Sequence, residues 1–262
     1  MYINGRKLKV RRYSSGELKF IKSDLNSYII ENRVKILYLG EYSLFELILV
    51  LRYYVENGVL VDLILAYLPY QRMDHKGRDE LDTVNYVANM FNEMNLNSIT
   101  ICEPHCDVSS FKKVKNFSYV DCFKERVFKD IGFDCNEDTI VLTDKGGVKR
   151  YGKISRNNVY FNKVRDENSG LIVKHEIVGN VRGKALIVDD IISTGDTIVN
   201  IIEELIKNEV KEIYILAGHI ENNKYNKRIF EYENVIKVYS SNSLKKRSFS
   251  KLCLFDVKRL FF

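Results

Sequence analysis

Two adjacent carboxylates, Asp189 and Asp190, follow the apolar run of ALIVDDIISTGDTIVN (residues 185–200). A small polar turn comes next, made of Ser193, Thr194, Gly195, Asp196 and Thr197, ahead of a second apolar stretch. A turn of this composition at the start of a helix bares backbone N–H groups, and these attract anions. Ionised carboxylates only accept hydrogen bonds, and two side by side suit the vicinal hydroxyls of a ribose. A ribose carrying a 5-phosphate satisfies both halves of the stretch. The plainer reading is helix capping by Ser193 or Thr194, with the aspartates beside the helix dipole. Capping accounts for one polar residue, but not for a carboxylate pair behind a buried strand.

Three further apolar runs end in comparably polar segments. PYQRMDHKGRDE follows Leu68 and carries Arg72 and Asp74; EPHCD follows Ile101 and carries His105; TDKGG follows Leu142 and carries Asp144. In parallel sheets ligands bind beyond the carboxyl ends of the strands, so these segments are candidate ligand loops. Each also has a plainer reading. Arg72, Asp74 and His75 could form a surface ion-pair cluster of little energetic weight, and a lone His105 could be structural. Cys102, Glu103, His105 and Cys106 are close enough to suggest zinc, yet no second ligand pair with such spacing appears.

The elements that must position these residues follow from periodicity. VKILYLG, VDLILAYL, SITICEP, DTIVLTD, KALIVDD, EIYILAGH and VIKVYSS read as buried strands. Between them, Leu44, Leu47, Leu51 and Tyr54, and again Val84, Val87, Ala88 and Phe91, keep helical spacing. Strands alternating with helices predict α/β domains with mostly parallel sheets flanked by helices. A break near KNFSYVD divides the 262 residues into halves, 1–120 and 121–262, each about right for one doubly wound unit.

No apolar stretch is long enough to span a bilayer, and no apolar core follows the basic N-terminus, so a cytoplasmic chain is expected, with no membrane partner. The net charge of +6 is spread over RKLKVRR, FKKVK, GGVKRYGK and LKKR rather than gathered into a stripe, which argues against nucleic acid. Five cysteines follow no disulfide framework and read as reduced, mostly buried thiols.

VDDIISTGDT resembles the phosphoribosyl diphosphate motif shared by type I phosphoribosyltransferases and ribose-phosphate pyrophosphokinases. The other segments resemble pyrophosphokinase blocks, in the family's order, from about Arg11 to the C-terminus. AYLPYQRMDHK is similar to the aromatic-Pro-Tyr block with its Arg-Gln-Asp, EPHCDVSSFKKV to the Asp-Leu-His-Ala/Ser-Asp block, and VLTDKGGVKR to the Ser-Pro-Asp-Ala-Gly block. KVRDENSG resembles the flexible catalytic loop, and RRYSSGELKF the Phe-Ser-Asp-Gly-Glu adenine loop.

The resemblance implies two phosphoribosyltransferase-like domains and transfer of a diphosphate from Mg-ATP to the anomeric hydroxyl of ribose 5-phosphate, with AMP leaving. It implies Lys163 and Arg165 as the catalytic clamp on the transferring phosphates. Arg72, Asp74 and His105 would bind ATP, Tyr13 would stack on adenine and Glu17 accept from its amino group. Asp189, Asp190, Ser193, Thr194, Gly195, Asp196 and Thr197 would hold the ribose and its phosphate, and Asp144 and His105 would hold Mg²⁺. The adenine loop of the family reaches a neighbouring subunit, so a homodimer or larger homo-oligomer is expected.

Some positions depart from the family. Met73 stands where Gln is usual, Ser15 where Asp or Asn is common, and Lys145 replaces a small residue. Asp196 stands where Gly or Ala is usual, and a carboxylate beside a dianionic phosphate is repulsive unless it points away. That leaves open an acceptor extended at its 5-end, such as ADP-ribose. The motif also admits a phosphoribosyltransferase, or a silent relative that binds nucleotides and regulates a partner.

Overall fold

The structure is a computed structural model. It describes residues 1–40, 43–73, 81–165 and 172–262, with the backbone alone at 163–165 and 172–175. The chain divides into two compact units, Met1–Phe117 with Asp256–Phe262, and Ser118–Phe255. Ser118 caps the second unit's first helix, so the division precedes residue 118 rather than following 120. The closing segment returns to the first unit, where the Phe261 ring packs 5.0 Å from that of Phe117.

The first unit opens with short strands β1 (Tyr2–Ile3), β2 (Arg6–Lys7), β3 (Arg11–Arg12) and β4 (Leu18–Lys19), then α1 (Lys22–Asn26). β5 (Arg33–Tyr38), α2 (Leu44–Glu56), β6 (Leu60–Leu65), α3 (Thr83–Asn92), β7 (Ser98–Cys102) and β8 (Val114–Phe117) follow. The sheet order is β2-β1-β5-β6-β7-β8, parallel from β5 onward, while β3 and β4 pair only with each other. Alternate residues of β5, β6 and β7 (Val34 and Ile36, Val61 and Leu63, Ile99 and Ile101) share one core with Leu47, Leu51 and Tyr54 of α2 and with Val87 and Phe91 of α3. The helical spacing read from the sequence therefore lies on the buried faces. α2 starts at a capping box, in which Ser43 accepts from the Glu46 N–H and Glu46 accepts from the Ser43 N–H.

The second unit runs α4 (Tyr119–Ile131), β9 (Thr139–Leu142), α5 (Lys145–Tyr151), β10 (Asn158–Arg165), β11 (Ile172–Val178), β12 (Ala185–Ile192), α6 (Asp196–Lys207) and β13 (Ile213–Ile220). A 3₁₀ helix (Tyr225–Glu231), β14 (Val235–Ser241) and β15 (Leu252–Phe255) complete it, and α7 (Lys258–Phe261) belongs to the first unit. Its sheet order is β11-β10-β9-β12-β13-β14-β15, with only the β10–β11 pair antiparallel. From β9 the chain winds through α5 outward to β10; from β12 it winds through α6 the opposite way to β13. The carboxyl ends of β9 and β12 thus flank the switch point, where open α/β sheets bind ligands. Pairing of β12 with β9 stops at Val188 opposite Leu142, while β12 continues against β13 as far as Ile192.

Among the described residues no helix is long and apolar enough to cross a membrane, and no three His, Cys, Asp or Glu side chains gather as a metal site. All five cysteines are free thiols; Cys102 and Cys106 are buried, but Cys122 and Cys135 are exposed, fewer buried than expected.

Candidate functional site

Asp189 and Asp190 lie inside β12, two residues before its end, because the strand continues through Ile191 and Ile192. Each has a distinct partner. Asp189 accepts from the Thr143 hydroxyl at 2.9 Å, beside the carboxyl end of β9, and also from the Asp190 N–H. Asp190, with a side chain 4% exposed, is paired with the Arg150 guanidinium from α5. Desolvation, then the neighbouring Asp190 carboxylate, push the Asp189 pKa well above the usual carboxylate range, with the Thr143 bond pulling the other way. Desolvation, the largest single influence, pulls the Arg150 pKa down, but Asp190, Tyr151 and Asp189 together outweigh it, so the guanidinium is held more firmly protonated than usual.

The turn after β12 is not a capped helix start. Gly195 is the N-cap of α6, in the left-handed region at φ 86°, and no side chain caps the helix. Both hydroxyls suggested by sequence as caps or ligand donors are engaged elsewhere. Ser193 donates to Glu221 at 2.7 Å, and Thr194 donates to Asp196. The first-turn amides of α6 are therefore the turn's anion-attracting groups. Asp196 also pairs with Arg228 of the 3₁₀ helix, and the Thr194 bond and then Arg228 hold its pKa below the usual range. The loop is buttressed from behind, since Asn223 and Asn226 both donate to the Ser193 carbonyl. Thr197 is half-buried on the first turn of α6.

Asp144 closes β9 as the N-cap of α5, accepting from the Gly147 N–H at 2.7 Å, and is exposed. Lys163 and Arg165 were expected in a flexible loop, but their backbones belong to β10, Lys163 opposite His175 and Arg165 opposite Ile172. The buried alternation of Val159 and Phe161 carries the strand on into the polar segment.

In the first unit, the segment after β6 and the segment after β7 are joined by Gln71, whose Oε1 accepts from the His105 N–H at 3.0 Å. Arg72 is exposed and His105 half-buried; Asp74 lies outside the described residues. Tyr13 and Glu17 sit on the separate β3–β4 hairpin, closed by Tyr13 N–H to the Glu17 carbonyl at 3.0 Å. Tyr13 is 52% exposed and so lies outside the core. Glu17 accepts from Ser15 at 3.1 Å.

Thr143, Asp144, Asp189, Asp190 and the 193–197 turn thus gather at one switch point, and Arg72 and His105 on adjoining loops of the other unit. Sequence reasoning passed over Gln71, Arg150, Glu221, Asn226 and Arg228. Arg150 and Arg228 sit within basic surface clusters, and only their distant partners distinguish them.

No family model matches the chain. It is 28% identical to ribose-phosphate pyrophosphokinase of Fusobacterium nucleatum over 166 residues, covering 61% of this chain and 52% of that protein. It is 30% identical to the enzyme of that name in Saccharolobus solfataricus over 167 residues, covering 60% and 56%. The chain thus matches about half the length of these curated relatives. The crystal structure of phosphoribosylpyrophosphate synthetase from Mycobacterium smegmatis superposes with a TM-score of 0.76 at 20% identity, covering 96% of this chain and 86% of that one. The fold is accordingly that of two phosphoribosyltransferase-like α/β domains.

Proposed function

We propose, from its similarity to ribose-phosphate pyrophosphokinases, that the chain transfers a diphosphate from Mg-ATP to the anomeric hydroxyl of ribose 5-phosphate. The products are phosphoribosyl diphosphate and AMP. One observation carries the reading: α6 begins at Gly195 without a side-chain cap, at the switch point and directly behind Asp189 and Asp190. An acceptor phosphate sits at the N-terminal end of α6, whose dipole attracts it, and the ribose hydroxyls reach back to Asp189. Arg150 fixes Asp190 in place, so the carboxylate beside Asp189 keeps one orientation.

Lys163 and Arg165, at the end of β10, are the proposed clamp on the transferring phosphates, and Arg72 and His105 the nucleotide contacts. Phosphoryl-type transfer of this kind depends on positioning and charge neutralisation rather than on covalent catalysis. Mg²⁺ fits this donor set only as a shared ion. Asp144 offers one exposed carboxylate that also caps α5, and Mg²⁺ commonly takes one or two carboxylates together with substrate phosphates. When bound, it neutralises phosphate charge. His105 belongs to a different unit and offers nitrogen, a poorer ligand for this ion. The exposed hairpin carrying Tyr13 is suited to serve a second copy of the chain, which makes the proposed active form at least a dimer.

A 5-extended acceptor loses its support, because Asp196 does not face the turn as an uncompensated charge: Arg228 and Thr194 hold it. Incubation with Mg-ATP and ribose 5-phosphate, followed by mass spectrometry, tests the proposal. AMP with phosphoribosyl diphosphate is the expected result. Absence of AMP sinks the reading, and a stronger yield with ADP-ribose would replace the acceptor.

A further inference from the structure

Gln71 carries an unusual combination of burial and incomplete bonding. It is 0% exposed, yet its Nε2 has no hydrogen-bond partner among the described residues. The orientation of the amide is not arbitrary. The group facing it from His105 is a backbone N–H, a donor, so the oxygen must stand there and the NH₂ must point away. Two N–H donors are thereby withdrawn from water with no acceptor in return, which native proteins rarely leave unexplained. Flanking residues Tyr70, Arg72 and Met73 are exposed, so the amide lies just beneath a solvent-facing loop.

The same loop holds one of the departures from the resembled family, which places a glutamine where this chain has Met73. That side chain is 42% exposed and offers no donor. Here the amide sits two residues earlier, on the other side of Arg72. It is tied to His105, another candidate nucleotide contact of this unit.

We propose that Gln71 is a ligand-binding residue of the nucleotide site, donating from Nε2 to a phosphate oxygen of the bound nucleoside triphosphate while Oε1 holds the His105 backbone. The proposal rests on the pyrophosphokinase reading above. An anionic oxygen is the acceptor that best compensates a desolvated amide, because charge-assisted hydrogen bonds are the strong ones.

Two variants separate binding from scaffolding. Gln71→Glu keeps an oxygen for the His105 N–H and removes the NH₂ donors; Gln71→Met keeps the length and removes both. Titration calorimetry with Mg-ATP and, separately, with ribose 5-phosphate reads the outcome, with thermal melts checking the fold. Both variants should weaken Mg-ATP by about tenfold or more, while ribose 5-phosphate, bound by the other unit, stays within twofold. As pH falls from 8 to 6, Gln71→Glu should regain Mg-ATP affinity relative to wild type, since protonation restores a donor and removes a charge.

Folded variants that bind Mg-ATP within twofold of wild type overturn the proposal. So does equal weakening of both ligands, and so does failure of both variants to fold, which would assign Gln71 to the scaffold. If wild type forms AMP and the variants bind Mg-ATP normally, this inference falls alone. If wild type binds no Mg-ATP, the pyrophosphokinase reading falls with it.

Discussion

Gly195→Ala is the most direct perturbation of the turn proposed to hold the phosphate. At φ 86° an L-residue occupies the left-handed region, which costs about 1–2 kcal/mol. The added Cβ would stand 2.8 Å from Ile229 Cδ1, 3.3 Å from Ile229 Cγ1 and 3.4 Å from Asn226 Cα. Ile229 is wholly buried, so its side chain has little room to retreat, and crowding of this sort adds about 1–3 kcal/mol. The two terms together give a loss of about 2–5 kcal/mol. Movement of Ile229 also shifts the 3₁₀ helix that carries Asn226 and Arg228, the props of the turn. Urea unfolding followed by far-UV circular dichroism should show a midpoint lowered by roughly 1–2.5 M, taking a slope of about 2 kcal/mol per M. Calorimetry should show ribose 5-phosphate affinity falling in the same variant. An unchanged midpoint with unchanged affinity would mean that the turn does not hold this conformation, and the proposed cradle would go with it.

Asp189→Asn tests the desolvated carboxyl. A raised folded-state pKa means that the group's stabilising contribution is full below the ordinary carboxylate range and is lost as pH rises through the raised value. The amide keeps an acceptor for Thr143, so this variant should melt above wild type at pH 7.5, with the gain shrinking toward pH 4, yet bind ribose 5-phosphate more weakly. Scanning fluorimetry across that range checks it, and a lower melting temperature at pH 7.5 contradicts it. Arg150→Gln leaves the buried Asp190 carboxylate without its cation. Breaking a buried pair costs about 3–5 kcal/mol, discounted here to about 2–4 because the Arg150 side chain is 34% exposed; denaturant melts should register that loss. Arg228→Gln breaks a pair whose side chains are 42% and 65% exposed, so stability should change by only about 0–1 kcal/mol. Ribose 5-phosphate affinity should nonetheless fall, less so at high salt, and adding Asp196→Asn should restore it.

Much of the fold was legible because parallel strands buried on both faces must be apolar throughout. The run KALIVDD became β12 and EIYILAGH became β13, every residue of which is buried. The strands that escaped notice are those with weaker signals. β8 has exposed residues in the middle of VKNF, and in β10 the charged residues that follow the buried Val159 and Phe161 interrupt the apolar pattern. At the site, residue types and their places at strand ends were legible, as Asp144 at the end of β9 and Gly195 in its turn illustrate. Pairing was not. Asp190 meets Arg150 across 40 residues, Ser193 meets Glu221 across 28, and Asp196 meets Arg228 across 32. Nothing in local spacing encodes such contacts, since they are made by the sheet and not by the chain segment.

That difference changes what the turn is expected to do. As a string, STGDT offers hydroxyl donors and one awkward carboxylate. As folded, Ser193 and Thr194 spend their protons on Glu221 and Asp196, and Arg228 offsets the carboxylate. Asp190 is likewise offset by Arg150, and Glu221 takes hydrogen bonds from Ser193 and Asn223. The uncancelled attraction for an anion is then the backbone itself, the first amides of α6 with their dipole. Backbone amides need a particular path of the chain more than particular side chains. In the proposed site, discrimination of the acceptor would come from what rigidifies Gly195 and from the carboxyl of Asp189, one placing the phosphate and the other the hydroxyls.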